Sequence, residues 1–183
     1  TAQATDLTLR LKDVYGNFSS NSSTVSVLAQ AVSSSDTTSV QKTFGTFTFS
    51  PEVSVITITR TNFVINNSGS YNMKFSAAGI DAALSNTFQI RNAQAHSMVV
   101  LQDMPTSVQS GLTFSPVLKL EIRDSFGNPV IDSTTSISIS AIAGNIASIT
   151  GGVGIKSSGS SIVEFPDLSI AGAVGNAQLR FHA

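Results

Sequence analysis

Most of the apolar runs in this sequence alternate with polar residues at a period of two. Residues 7–12 read Leu-Thr-Leu-Arg-Leu-Lys, and residues 118–123 read Leu-Lys-Leu-Glu-Ile-Arg. Such alternation places one set of side chains on a core face and the other set in water, as in a half-buried β-strand. The pattern predicts an all-β protein. Further alternating runs lie at 25–27, 47–49, 53–59, 73–75, 137–140 and 179–182.

The segments between these runs favour turns rather than helices. They are rich in Gly, Asn, Ser and Asp, which reverse the chain. No segment shows a convincing amphipathic helical pattern, and residues 79–84 predict one short helical turn at most. Residues 87–90, Thr-Phe-Gln-Ile, resemble another strand. Many short strands with regular turn signals are typical of β-sandwiches.

The chain also repeats itself. The run at 7–12 leads into Asp-Val-Tyr-Gly-Asn at 13–17, and the run at 118–123 leads into Asp-Ser-Phe-Gly-Asn at 124–128. Near the far end of each copy, Met-Lys-Phe-Ser-Ala at 73–77 matches Leu-Arg-Phe-His-Ala at 179–183. The repeat predicts two tandem homologous domains, residues 1–94 and 95–183.

Three segments of the second copy carry a resemblance to a known family. They are residues 100–116, the turn Asp-Ser-Phe-Gly-Asn-Pro-Val at 124–130, and the closing stretch 163–172. Together they resemble the Ig-like repeats of large microbial surface proteins of the invasin and adhesin type. The resemblance implies two tandem Ig-like β-sandwiches that act as spacers, adhesive modules or structural modules, and it implies no enzyme.

The two copies do not match at their ends. Residues 98–111 look like the opening strand of copy two and have no counterpart before residue 1. Residues 78–92 of copy one have no counterpart after residue 183. We therefore expect domain 1 to lack its first strand and domain 2 to lack its last. A sandwich without an edge strand exposes apolar core and unpaired backbone groups.

Three explanations of these missing strands stand at this point. The chain is an excerpt from a longer repeat array, or its domains manage with fewer strands, or a neighbouring chain fills each gap with a strand of its own. The third arrangement makes a head-to-tail contact that does not close, and such contacts generate filaments. The candidate inter-subunit residues are Thr5, Leu7, Leu9, Leu11, Leu179 and Phe181.

Composition argues against several function classes. Charged residues make up only 11% of the chain and the net charge is −1, so no clustered basic face is available for nucleic acid. The chain has no Cys and only two His, His96 in the predicted linker and His182 on a strand. These features predict no enzyme, no cofactor and no metal site. No run of 18 apolar residues exists, so we expect no membrane insertion.

Hydroxylated residues and sequons favour an extracellular or cell-surface location. The sequence contains 30 Ser and 18 Thr, and hydroxyls rather than charges must keep its surface soluble. Three Asn-x-Ser triplets make Asn17, Asn21 and Asn66 candidate glycosylation sites. With so much Ser and Thr, chance triplets are equally expected. N-linked or O-linked glycans are therefore one interpretation of this composition.

The Asp residues before the two aromatic-Gly-Asn turns allow two interpretations. Asp13 and Asp124 could be calcium ligands, but calcium needs six to eight oxygens and no Asp-rich cluster supplies them. The favoured interpretation is an Asx-type turn in which Gly16 and Gly127 adopt positive φ.

These features predict a structural protein, the subunit or repeat segment of an extracellular fibre or surface stalk, whose partners are copies of itself bound head-to-tail. The alternative is a surface adhesin whose loops bind a receptor or a glycan. Strands that cross between chains would favour the fibre, and an exposed aromatic or Asp-lined pocket in the loops would favour the adhesin.

Overall fold

The computed structural model describes residues 6–131 and 134–183, with only the backbone of Arg60. The prediction of an all-β protein is confirmed, since 51% of the described residues lie in strands or bridges. Within the described residues the only helical segment is a 3-10 turn at Arg60–Asn62. The chain divides into two compact units, Thr1–Arg91 and Asn92–Ala183.

The described residues of unit 1 form seven strands in two antiparallel sheets. Their bounds are β1 Leu7–Arg10, β2 Val25–Ser33, β3 Val40–Phe49, β4 Val55–Ile58, β5 Gly69–Ala77, β6 Ile80–Leu84 and β7 Phe88–Ile90. β1 and β4 form one two-stranded sheet. The other sheet has the order β3-β2-β5-β6, with β7 also paired to β5.

The core of unit 1 draws on both sheets. Alternate residues of β2 and β5 are buried, and they contact the apolar side chains of β1 and β4. Two sheets joined through one apolar core are consistent with a β-sandwich. Its buried members are Val25, Val27, Ala29, Ala31, Phe49, Ile58, Tyr71, Met73 and Phe75.

The helical turn expected at residues 79–84 is wrong. Ile80–Leu84 is β6, which pairs antiparallel with β5 and places Ala83 opposite Phe75. Gly79 makes the tight reversal between the two strands at φ +71°, a conformation that glycine adopts without steric cost. Pairing with a neighbouring strand thus decides the structure of a segment that lacks regular alternation.

The part of unit 2 that the structure describes forms eight strands. Their bounds are β8 Ala95–Gln102, β9 Leu118–Asp124, β10 Ser138–Ala143, β11 Ile146–Thr150, β12 Ile155–Lys156, β13 Ile162–Phe165, β14 Ser169–Gly172 and β15 Gln178–His182. One sheet has the order β12-β13-β9-β8, and the pairs β10-β15 and β11-β14 form two smaller sheets.

The core of unit 2 again combines strands of different sheets. Phe165 and Leu168 are fully buried, and the half-buried Leu179 and Phe181 of β15 pack against the same cluster. The other buried members are Phe114, Leu118, Leu120, Ile122, Val130, Ile137, Ile139 and Val163.

Candidate functional site

The Asp-x-aromatic-Gly-Asn turns of the two units, at 13–17 and 124–128, have the same hydrogen bonds. In unit 1 the Oδ1 atom of Asp13 accepts the backbone N–H groups of Tyr15 and Asn17, both at 2.9 Å. Gly16 has φ +86° and donates its N–H to the Asp13 carbonyl at 3.0 Å. These bonds confirm the Asx-type turn predicted for unit 1.

In unit 2 the Oδ1 atom of Asp124 accepts the backbone N–H groups of Phe126 and Asn128, again at 2.9 Å. Gly127 has φ +86° and donates to the Asp124 carbonyl at 3.1 Å. The Asx-type turn predicted here is also confirmed. Both carboxylates are surrounded by N–H donors, which hold anions and not cations.

The strands that lead into the two turns, β1 and β9, pair with corresponding strands in the same register. β1 pairs with β4 so that Leu9 lies opposite Ile56, and β9 pairs with β13 so that Leu120 lies opposite Val163. The internal repeat seen in the sequence therefore corresponds to equivalent local pairing in the two units.

The outer edges of these two strands differ. β9 carries β8 on its second edge, where Met98 lies opposite Ile122 and Val100 opposite Leu120. β1 pairs with β4 alone, and none of the described residues forms a strand on its second edge. An unpaired edge of this kind leaves a row of backbone donors and acceptors open to another chain.

The two carboxylates also differ in their environments, since Asp124 is buried and Asp13 is exposed. Asp124 is only 2% exposed, and its Oδ2 atom accepts the backbone N–H of Ala93 and the side-chain amide of Asn128, each at 2.9 Å. Asp13 is exposed, and its Oδ2 atom accepts the side-chain amide of Asn17 at 3.2 Å. Among the described residues, the only N–H groups that donate to the Asp13 carboxylate belong to its own turn.

Hydrogen bonding sets the acidity of both groups. Burial raises the pKa of Asp124, but the hydrogen bonds from Asn128, Ala93 and Phe126 outweigh it and lower that pKa to about 2. The pKa of Asp13 is also lowered, chiefly by the backbone and side-chain hydrogen bonds from Asn17. Both side chains are therefore carboxylates at neutral pH.

A groove lies beside β1 in unit 1, and we call it the β1 groove. It has a volume of about 650 Å³ and reaches buried core residues of the larger sheet, while the half-buried Leu9 and Leu11 line its other side. On its rim, Ile80 of β6 is 44% exposed. The residues that define it here are Leu9, Leu11, Val25, Phe49, Phe75 and Ile80.

β15 is one of several strands of unit 2 with an unpaired edge. β15 pairs with β10 alone among the described strands, whereas β5 in unit 1 pairs with β2, β6 and β7. On β8, Met98 and Val100 share a face with the buried residues of β9, yet they are 36% and 44% exposed. Apolar surface is thus left open on unit 2 as well.

Four of the six predicted inter-subunit residues lie in strands with one unpaired edge. Leu7 and Leu9 lie in β1, while Leu179 and Phe181 lie in β15 and face Ala141 and Ile139 of β10. Each strand is paired inside its own unit and has one further edge. Whether these strands cross between chains stays a prediction. Leu11 directly follows β1, and Thr5 lies outside the described residues.

The three sequon asparagines are exposed. Asn17 uses its side-chain amide to bond Asp13, and the backbone carbonyl of Asn21 accepts the N–H of Glu52 at 2.9 Å. Asn66 lies in the exposed segment before β5. Glycosylation at these positions stays a prediction.

The turns also expose aromatic side chains. Tyr15 is 87% exposed and Phe126, its equivalent in unit 2, is 57% exposed. Phe18 is 61% exposed, and the Arg10 guanidinium lies 4.8 Å from the centre of its ring. The sequence signal for Tyr15 and Phe126 is their position within the turn, because such residues face away from the strand pair.

The described residues contain no group of three or more His, Cys, Asp or Glu side chains placed to hold a metal ion. His96 lies in β8 and not in a linker. His182 Nε2 and Ser140 Oγ are 2.6 Å apart on an exposed surface. No helix in the described part of the chain is long and apolar enough to cross a membrane.

Comparison of the chain with protein-family models, curated proteins and solved structures finds no match. The unpaired strand edges and the exposed turns are therefore the features on which a functional proposal can rest.

Proposed function

We propose that the chain is a non-enzymatic structural module, the subunit or repeat segment of an extracellular fibre or surface stalk. Its units are two tandem Ig-like sandwiches that assemble head-to-tail by strand complementation. The observation that carries this proposal is that β1 in unit 1 and β15 in unit 2, the strands that hold four of the predicted inter-subunit residues, each have one edge that no described strand pairs. Two different unpaired edges on one chain favour a heterologous contact that propagates along a line.

Exposed apolar residues in both units support the same proposal. Ile80 in unit 1 and Met98 and Val100 in unit 2 are between 36% and 44% exposed. Burying such residues under an added strand contributes about 25 cal/mol per Å² of apolar surface removed from water. The added strand also pairs backbone groups that water alone solvates at a free edge.

Electron microscopy of the purified chain, with two variants of β6, tests this proposal. Ile80→Lys places a charge in the β1 groove, whereas Leu84→Lys places one on the same strand outside the residues that line it. Leu84 is 51% exposed, so both side chains are accessible enough to be replaced without loss of the fold. We expect end-to-end polymers from the wild type and from Leu84→Lys, and isolated particles from Ile80→Lys. Isolated particles from the wild type would contradict the proposal.

A second candidate function is adhesion through the exposed turns. Tyr15 and Phe126 occupy equivalent positions and are both largely exposed, and aromatic rings on a surface can contact a glycan or a receptor. A glycan array tests it by comparing the wild type with the double variant Tyr15→Ala/Phe126→Ala. Binding that disappears in the double variant favours adhesion, and no binding by the wild type counts against it.

The proposed extracellular or cell-surface location predicts modification of the chain. Mass spectrometry of natural material, before and after removal of N-linked glycans, tests Asn17, Asn21 and Asn66. Occupancy at any of the three supports the location, since all three side chains are exposed.

A further inference from the structure

The two units allow a direct comparison of one strand edge with and without its partner. In unit 2 the second edge of β9 is covered by β8, while in unit 1 the equivalent edge of β1 opens on the β1 groove. β1 and β9 share their register with the inner strand and the turn that follows them. Unit 2 is therefore a template for what the β1 groove accepts.

We propose that the β1 groove binds an extended strand with the residue pattern of β8, contributed by a neighbouring repeat of the same kind. This inference rests on the proposed function of strand complementation and names the acceptor site in unit 1 and the chemistry of the strand that enters it. In the register of unit 2, the residue equivalent to Val100 lies opposite Leu9, and the residue equivalent to Met98 lies opposite Leu11.

The backbone of β1 is oriented to receive such a strand. Leu11 donates its N–H to the Ser54 carbonyl at 2.9 Å, on the side of β4. Alternate residues of a strand direct their backbone groups to opposite edges, so the N–H and C=O groups of Arg10 and Lys12 face the groove side. Their equivalents in unit 2 are Glu121 and Arg123 of β9, which lie opposite Val99 and Ser97 of β8.

Asp13 supplies an anchor at the end of the groove. In unit 2 the N–H of Ala93, two residues before β8, bonds the Oδ2 atom of Asp124. Asp13 lines the groove, holds the same turn and is exposed. A bound strand in the unit 2 register places the equivalent N–H at the Asp13 carboxylate, and hydrogen bonds to charged groups are among the stronger ones.

The composition of β8 also suits the walls of the groove. Val25, Phe49 and Phe75 contribute apolar core surface to the groove. β8 reads Ala-His-Ser-Met-Val-Val-Leu-Gln and contains no Asp, Glu, Lys or Arg. Such a strand brings no carboxylate, ammonium or guanidinium group into the groove, and burying such a group unpaired would be costly.

Amide hydrogen exchange of the full 183-residue chain, measured by NMR with a synthetic peptide of residues 92–104, tests the inference. We expect the peptide to slow exchange at the Arg10 and Lys12 amides without changing β9. Methylating the peptide nitrogen at the Ala93 position removes the N–H that bonds Asp13, and we expect about a tenfold loss of affinity. The Asp13→Ala variant should bind the unmodified peptide with a similar loss, while a scrambled peptide should not bind.

Exchange that stays unchanged at Arg10 and Lys12, or equal binding of the methylated, unmodified and scrambled peptides, would overturn the inference. Sedimentation of the chain without peptide separates this result from the proposed function. A chain that stays monomeric yet binds the peptide in this register supports the acceptor site and contradicts self-assembly. Polymers that form while the peptide neither binds nor inhibits them support assembly and overturn the β8-type strand as the occupant.

Discussion

The carboxylate of Asp124 accepts the backbone N–H of Ala93 at 2.9 Å, across 31 residues of sequence. This bond fixes the start of unit 2 to the turn that follows β9, and it lies where Asp124 is 2% exposed. Asp13 holds the same turn in unit 1, but it is exposed. The two residues can therefore be compared directly. Beside Asp124 the upstream strand β8 is paired to β9, whereas beside Asp13 no described strand pairs with the second edge of β1.

The first prediction compares these two carboxylates by substitution. Asp124→Ala should lower the Tm of the chain by several degrees, because it leaves the N–H groups of Ala93, Phe126 and the buried Asn128 without their acceptor. Asp13→Ala should lower the Tm less, since water can reach the N–H groups that it frees. Differential scanning calorimetry measures both changes. Equal losses in the two variants would show that burial of Asp124 adds nothing to its role.

The second prediction concerns acid stability. The folded-state pKa of Asp124 is about 2, below its ordinary value of 3.8, so the unfolded chain binds more protons between these values. The stability given by its ionised form is fully present above about pH 4 and is lost as pH falls through about 2. Asp124→Asn cannot titrate, so its unfolding free energy should depend less steeply on pH in this window.

Urea unfolding of the wild type and of Asp124→Asn, from about pH 5 to about pH 2, measures that slope. Some dependence should remain in the variant, because hydrogen bonds also lower the pKa of Asp13 and Asp36. Parallel profiles for the two proteins would contradict a lowered pKa at Asp124.

The third prediction concerns the core of unit 2. Phe165 has no exposed surface, and its ring centre lies 6.3 Å from that of Phe181. Phe165→Ala should lower the free energy of unfolding by about 3–5 kcal/mol, since it removes buried apolar surface and leaves a cavity. The control is Phe126→Ala, where 57% exposure predicts a change within about 0.5 kcal/mol. Similar losses in chemical denaturation would place Phe126 in the core as well.

The fourth prediction concerns the turn after β9. Gly127 has φ +86°, a conformation that costs a residue with a side chain about 1–2 kcal/mol. Gly127→Ala should therefore destabilise the chain by about that amount, and Gly127→Asn by less, because Asn adopts positive φ more readily. Equilibrium denaturation of the two variants gives the comparison. An alanine variant as stable as the asparagine variant would contradict the backbone explanation.

Alternation predicted the strands best where large apolar residues mark every second position. Leu118 to Arg123 is such a run and falls within β9, whereas β2 extends to Ser33 and beyond the run predicted at 25–27. The buried positions in that extension include Ala29 and Ala31, and alanine carries a weak apolar signal. Burial of small residues depends on the opposite sheet, which a local pattern does not describe.

Pairing of the later strands shows the same limit. In sequence, Thr-Val-Ser-Val at 24–27 matches Ser-Ile-Ser-Ile at 136–139, which sets Val27 against Ile139. In the structure Phe75 lies opposite Ala29, and Phe181, its match in the second copy, lies opposite Ile139. Ala29 therefore occupies the pairing position of Ile139, two residues beyond the sequence match. Register follows from packing against other strands, because a single segment fits more than one alignment.

The candidate site was predictable in its local part only. The Asp-x-aromatic-Gly-Asn pattern predicted both turns, since the hydrogen bonds of an Asx-type turn lie within a few residues. The bond from Ala93 to Asp124 and the β1 groove join segments far apart in sequence. Such features follow from strand pairing in three dimensions, which the sequence pattern does not specify.

Sedimentation velocity of the purified 183-residue chain over a hundredfold range of concentration tests head-to-tail assembly. Heterologous contacts that do not close predict species whose sedimentation coefficients increase continuously with concentration, without a plateau at a dimer. A single monomer boundary at every concentration would contradict assembly through the unpaired edges of β1 and β15.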